Sequence, residues 1–512
     1  MPSQAADQRG EPLEALCADL AANRHLIVAS NRGPLSFSES PDGHPDAVSL
    51  AAGDLSHLQE LIQLTWVSAA VSGSDRAVAQ QAAGGLVTTG MPHGWNARFV
   101  STPRRVYHRF YNTICNPLLW FLHHRSWGFT HTPNIDREAH NAWSQGMVPV
   151  SRAFADEIVA EAQRVGRPVA VMIRDYHMHL VGGMIRESLP DAVIQYTLDV
   201  PWPGPSDWMM LPAAWRSEIY RSLLACDVIG FKSQRDMRNF VAGVLEFAPG
   251  CSYESDDDVL TVNDGRNVLL RSYPPAPDPD ALHAASDAHR TLAFQKQIHE
   301  PGIHTFVTAE RAEPHKNIVR GIRAYGAMIA RNREFAAKTR YILALAPPPP
   351  HLAQYRRYVK EIEQAVREVN GQHGRRDHRP VELIMENNYS MALAAMRAAD
   401  TLVAIPLADA ECPTAFSMPL INTQNASMIL SETSSAAEVF GVAAKVVSPA
   451  DVEEIANLME HSARTTIQGR STQFRTLESV ALGLSQHNVV AMQMRDLLGL
   501  RHQLELADQS SV

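Results

Sequence analysis

Arg311 and Lys316 stand five residues apart in Glu310-Arg311-Ala312-Glu313-Pro314-His315-Lys316-Asn317, where an apolar run gives way to a loop and helical patterning resumes near Asn317. That arrangement suits a diphosphate, because a guanidinium can fork onto two oxygens while an ammonium adds a point charge. Alone, the loop reads more readily as a solvated basic turn, so its surroundings decide. Neither a paired-carboxylate nor a Ser/His/Asp signature accompanies it, and no metal-ligand spacing is visible.

The elements that must position this loop alternate in type. Short apolar runs at 26–30, 65–69, 169–173, 193–198 and 228–231 read as buried parallel strands. Helical stretches such as 150–165 and 179–188 separate them, which predicts a doubly wound sheet. Four prolines between Tyr273 and Pro279 stiffen a connector. Beyond it, runs at 305–308, 341–345, 382–385, 401–405, 428–430 and 444–447 repeat the alternation. The helical stretch 352–369 is expected to stop at Asn370-Gly371, and 480–503 to form one or two closing helices. The expected organisation is a dispensable tail over 1–24, a first Rossmann-like domain over 25–272 and a linker over 273–283. A second Rossmann-like domain over 284–478 and closing helices over 479–512 complete it. Two such α/β domains facing a cleft would bind a ligand between them.

With 512 residues, 45% of them hydrophobic, the chain has ample material for two cores. A net charge of -9 gives no general field for nucleic acid or anionic lipid, so neither is expected as a partner. Five scattered cysteines without a C-x-x-C pair argue against a disulfide framework or a zinc site. Without an apolar signal segment or a membrane-length run, the expectation is a cytoplasmic protein.

The chain resembles the trehalose-6-phosphate synthases, whose E-R-x-x-x-x-K element matches Glu310 to Lys316. Further matches follow in the family's order: Ser30-Asn31-Arg32, the turn at Ala52-Gly53 with Leu55, Tyr111 with Trp120, and Asp175-Tyr176-His177. Val200-Pro201-Trp202-Pro203, Gly230-Phe231 and Leu430-Ser431-Glu432 with Ala436-Ala437-Glu438 complete a series over about residues 26 to 450. The resemblance implies a GT-B type fold and a retaining transfer of glucose from UDP-glucose or GDP-glucose to glucose-6-phosphate or a related sugar phosphate. It implies no cofactor and no metal, and it is compatible with a homo-oligomer. Residue by residue, it gives Arg311 and Lys316 the donor diphosphate and the catalytic role. Gly53, Asp409 and Asp199 join them on the donor side, while Arg32, Tyr111, Trp120 and Asp175 form the acceptor pocket. Without the resemblance, Tyr111 and Trp120 read as aromatic packing, and capping a helix is an alternative role for Asp175.

Three departures stand out. The family's histidine before I-P-[FW]-P is Asp199, an acceptor-only carboxylate. Its D-G-M-N-L-V-A-K-E stretch reads Asp409-Ala410-Glu411-Cys412-Pro413-Thr414-Ala415-Phe416-Ser417, so the ribose-gripping glutamate becomes Ser417 and Pro413 lacks an N–H. The arginine of A-P-x-S-R has no counterpart in Ala346-Pro347-Pro348-Pro349-Pro350-His351. These changes leave two alternatives open: a non-catalytic binding or regulatory relative, and a pseudo-glycosyltransferase that joins a cyclitol to an amine.

Overall fold

The computed structural model describes residues 11–39, 45–50, 52–127, 134–350, 352–375 and 378–509, so His351 lies outside the described residues. The chain divides into two compact units. Unit one holds Met1–Leu122, Trp127–Tyr273 and Gln486–Val512, and unit two holds His123–Ser126 and Pro274–Ser485.

Unit one contains β1 (His25–Ser30), β2 (Leu35–Glu39), β3 (Pro45–Ser49), β4 (Leu64–Ala69), β5 (Trp95–Val100) and β6 (Val169–Arg174). β7 (Val193–Thr197), β8 (Val228–Phe231), β9 (Ser252–Glu254), β10 (Val259–Thr261) and β11 (Asn267–Ser272) follow. Among the described residues, nine of them form one sheet in the order β5-β4-β1-β6-β7-β8-β11-β10-β9, while β2 and β3 pair as a separate hairpin. The sheet is parallel from β5 to β11 and antiparallel across β9 to β11. Strands β1, β4, β6, β7 and β8 are buried along their whole length, which is why each reads as a continuous apolar run.

Unit two is built on β12 (His304–Arg311), β13 (Thr339–Ala346), β14 (Val381–Met385), β15 (Thr401–Ala404), β16 (Ser427–Ser431) and β17 (Lys445–Val447). They form a parallel sheet in the order β14-β13-β12-β15-β16-β17. Among their parallel strands, both units thus reverse strand order once, between β1 and β6 in the first and between β12 and β15 in the second. At such a reversal neighbouring loops diverge at the carboxyl ends of the strands and leave a crevice for a ligand. The ends of these four strands and the loops after them carry Arg32, Asp175, Arg311 with Lys316, and Asp409.

Several sequence expectations need correction. The helix Leu13–Asn23, expected in a dispensable tail, buries Leu13, Leu16, Cys17 and Leu20. They share a core with Val490, Met494 and Leu497 of the helix Gln486–Gln509 and with Leu26 and Val28 of β1. Of the two closing helices, Ile467–Leu482 belongs to unit two and Gln486–Gln509 to unit one. The helix Ala353–His373 runs through Asn370-Gly371, because the Asn370 side chain bonds both backbone groups of Val381 at 2.8 and 2.9 Å instead of ending the helix. Within the expected linker, Asp278 Oδ1 accepts from the amides of Asp280 and Ala281 and starts the helix Pro279–Ser286.

Candidate functional site

In unit one the reversal point is lined by rings. Tyr111 stacks between Tyr107 and His177, with centroids 5.9 and 5.7 Å away and planes within 6° and 9° of parallel. Tyr107 donates from its hydroxyl to Asn31 Oδ1 at 3.0 Å, which ties this wall to the loop after β1. Trp120 lies against Tyr176, with centroids 5.8 Å apart. Arg32 is exposed in that loop, whose Ser30 hydroxyl donates to the Arg32 carbonyl and accepts from Trp66 Nε1.

Asp175 follows β6 with φ 73° and ψ 164°, a conformation that side chains other than glycine rarely adopt. Its amide donates to the Thr197 carbonyl at 2.8 Å, and Oδ2 lies 3.4 Å from His177 Nδ1. Asp175 Oδ1 and His177 Nε2 are both buried without a hydrogen-bond partner among the described residues. A strained aspartate and a histidine with unmet valences beside an aromatic wall can take hydroxyl groups of a polar ligand. His177 was not singled out from the sequence. Its signal there was the D-Y-H triplet, but the stacking on Tyr111 is a long-range pairing that no local pattern displays.

Two residues expected on the donor side also lie in unit one. Gly53 opens a 3₁₀ turn with φ 62°, and a Cβ there would meet nothing within 4 Å, so its requirement is conformational. Asp199 sits 3.0 Å from Lys232 Nζ and 3.7 Å from Arg174, which is itself 3.0 Å from Asp54. Burial pushes the Asp199 carboxyl up, and the two cations more than offset this and hold it below the usual carboxylate range. The aspartate in place of the family's histidine is therefore already charge-compensated.

In unit two, β12 delivers Glu310 and Arg311, and the 3₁₀ turn Pro314–Lys316 folds back so that Lys316 is buried. Asn317 adopts φ 59° and donates from Nδ2 to the carbonyls of Ile405 and Pro449, fixing the start of the helix Ile318–Arg331. Lys316 Nζ lies 2.7 Å from Glu310 Oε2 and 2.6 Å from Asp409 Oδ2. Thr414 donates to the other oxygen of Glu310, and the amides of Glu411 and Cys412 donate to Asp409 Oδ1. Burial disfavours both charges, yet the ion pair dominates: the Asp409 carboxyl is held below its ordinary range and the Lys316 ammonium well above its own. Glu310 was not predicted as a site residue, although it adjoins Arg311.

Arg311 behaves differently. Its side chain is 57% exposed and its Nε lies 2.8 Å from Glu313, which is buried. The guanidinium is thus oriented from behind and presented outward. Beside it, a pocket of about 280 Å³ is enclosed by the ends of β12, β13 and β14 and the helices Tyr389–Ala398 and Pro413–Ile421; Ser417 is among its lining residues. Glu310 and Arg311 line this pocket, and Lys316 pairs with Glu310 and Asp409 in the same unit, whereas Gly53 and Asp199 belong to the other unit. Among the described residues, no group of three His, Cys, Asp or Glu side chains is placed to hold a metal ion. No described helix is long and apolar enough to cross a membrane.

Comparison with known proteins adds to this geometry. Residues 24–489 match the model of glycosyltransferase family 20. A validamine 7-phosphate valienyltransferase of Streptomyces hygroscopicus subsp. jinggangensis is 28% identical over 84% of this chain and 85% of its own. A trehalose-6-phosphate synthase of Mycobacterium avium is 25% identical over 73% of this chain and 75% of its own. Among solved structures, an α,α-trehalose 6-phosphate synthase from Burkholderia multivorans superposes with a TM-score of 0.78 at 19% identity, covering 95% of this chain and 98% of that one. The N-terminal domain of Candida albicans trehalose-6-phosphate phosphatase gives 0.77 at 20% identity, covering 93% and 97%. The architecture of two α/β units on parallel sheets is that of the GT-B fold.

Proposed function

Because the chain belongs to glycosyltransferase family 20, we propose that it transfers glucose, with retention at the anomeric carbon, from UDP-glucose or GDP-glucose to a sugar phosphate such as glucose-6-phosphate. The bond between the anomeric carbon and the diphosphate oxygen breaks, and an acceptor hydroxyl oxygen forms the new bond on the same face. The hydroxyl proton passes to the departing phosphate. No protein nucleophile or cofactor is needed, so catalysis is positioning plus stabilisation of the diphosphate charge. Arg311 supplies the outward cation, while Lys316 holds Glu310 and Asp409 in place behind it. Asp175, His177, Tyr111 and Trp120 receive the acceptor, and Arg32 is the exposed cation for its phosphate.

The observation that carries this reading is the exposed Arg311 guanidinium at the strand-order reversal of unit two, held by Glu313 beside a pocket. Release of nucleoside diphosphate on mixing donor with glucose-6-phosphate tests it. Turnover lowered about 100-fold by Arg311→Ala supports it, and ligand binding without turnover would instead make the chain a binding or regulatory relative.

A second reading, coupling of a cyclitol to an amine, is favoured by the relative named for valienyl transfer and by aspartate at position 199. The compensation of Asp199 by Lys232 and Arg174 weighs against it, since no unpaired anion is left there to attract a cationic amine. Robust turnover with common sugars would remove it.

A further inference from the structure

The pocket of unit two also shows a carboxylate that the transfer step does not use. β14 ends at Met385 on the edge of the sheet, and the next residues, Glu386 to Tyr389, line the pocket. β12 and its Arg311 lie two strands away in the order β14-β13-β12. At ordinary strand spacing that is about 10 Å, roughly the reach of a ribose between a phosphate and a base.

Glu386 is exposed, and its carboxylate takes one long bond of 3.5 Å from Asn388 Nδ2, with no cationic partner among the described residues. Asn388 is itself fixed, because its Oδ1 accepts from the Met391 amide at the start of the following helix. Tyr389 leaves 63% of its surface open on the same wall, a ring available for stacking on a planar base. Ser417, the position to which the resemblance assigns a ribose-binding glutamate, also lines the pocket and offers only a short hydroxyl.

We infer that Glu386 reads the base of the nucleotide donor and selects guanine. This rests on the nucleotide-hexose reading above and names its base. Guanine alone among the common bases presents two adjacent donors, N1–H and the exocyclic amine, to a carboxylate, which accepts both in a charge-assisted fork. Uracil presents one donor flanked by two carbonyl oxygens, which a carboxylate repels. Adenine offers one amine beside a ring acceptor. With the ribose grip reduced to Ser417, the base edge carries a larger share of recognition.

Calorimetric titration of the whole chain with GDP, UDP and ADP tests the assignment. GDP binds about tenfold tighter than the other two. Glu386→Gln places an amide donor against one guanine donor, so it loses about tenfold for GDP while UDP stays within about twofold. Glu386→Lys, which offers donors to uracil carbonyls, reverses the order of GDP and UDP. Glu386 is exposed, and an unchanged melting temperature confirms that each variant folds. UDP or ADP binding as tightly as GDP, or Glu386→Gln weakening all three alike, overturns the role of Glu386 and leaves the nucleotide reading standing. Failure of all three to bind the native chain removes the nucleotide reading and this inference with it.

Discussion

The two units share one order over six parallel strands, β5-β4-β1-β6-β7-β8 in the first and β14-β13-β12-β15-β16-β17 in the second, and present different surfaces at its reversal. At the reversal in unit one, rings and polar atoms without partners, Asp175 Oδ1 and His177 Nε2 among them, stand beside the paired charges of Arg174, Asp54, Asp199 and Lys232. At the reversal in unit two the side chains are charges paired with one another, Lys316 between Glu310 and Asp409 and Arg311 against Glu313. The difference follows from what each would hold. A hydroxylated ring asks for acceptors and flat walls, whereas a diphosphate asks for cations on a frame that does not collapse when the ligand leaves. All eight tryptophans of the chain lie in unit one, so tryptophan fluorescence follows that unit alone and the two can be perturbed and read separately.

The largest effect on this contrast is expected from Lys316→Met. It leaves Glu310 and Asp409 buried without their cation, a loss of about 3–5 kcal/mol. Hydrogen exchange should show β12 and β15 opening while the tryptophan signal of unit one keeps its midpoint. Equal loss in both units would break the separation. Arg311→Ala should lower turnover by about 100-fold and, because it strips the buried Glu313 of its cation, lower the stability of unit two by about 1–3 kcal/mol; a steady-state assay beside a urea titration checks both.

Asp175→Gly probes unit one in the opposite sense. Relief of the backbone at φ 73° should add about 1 kcal/mol of stability. Loss of the carboxylate should raise the acceptor KM by about tenfold. A gain in stability without a rise in KM would show that Asp175 does not face the acceptor.

Unit two also carries a pH dependence. Burial, opposed by Asp400 and assisted by Arg470, lowers the His304 pKa from its ordinary value of 6.5 to about 4. Its ring is held by Thr401 and Arg470 at 2.9 and 3.3 Å. Between these values the unfolded chain binds a proton that the folded chain refuses. Stability is therefore full above about pH 6.5 and declines towards pH 4. Urea midpoints read by hydrogen exchange in β12 should fall over that window, and His304→Gln should flatten the slope.

Much of this was legible in the sequence wherever the information is local. The fully buried strands announce themselves as apolar runs, and Arg311 and Lys316 stand together in one loop. β5 was missed because Trp95-Asn96-Ala97-Arg98-Phe99-Val100 interrupts its apolar residues with Asn96 and Arg98, the latter paired with Glu157 on a distant helix. The burial of Leu13–Asn23 was hidden because its partner helix comes more than 460 residues later. At the site, residue types could be read but pairings could not. Glu310 and Asp409 meeting on one ammonium, and Lys232 and Arg174 meeting on Asp199, are consequences of strand order.

The most direct test of the central claim is mass-spectrometric analysis of the whole chain incubated with UDP-glucose or GDP-glucose and glucose-6-phosphate. A phosphorylated disaccharide and one nucleoside diphosphate for each molecule formed are expected, both falling about 100-fold in Arg311→Ala. Unchanged donor and acceptor with every nucleotide sugar would contradict it.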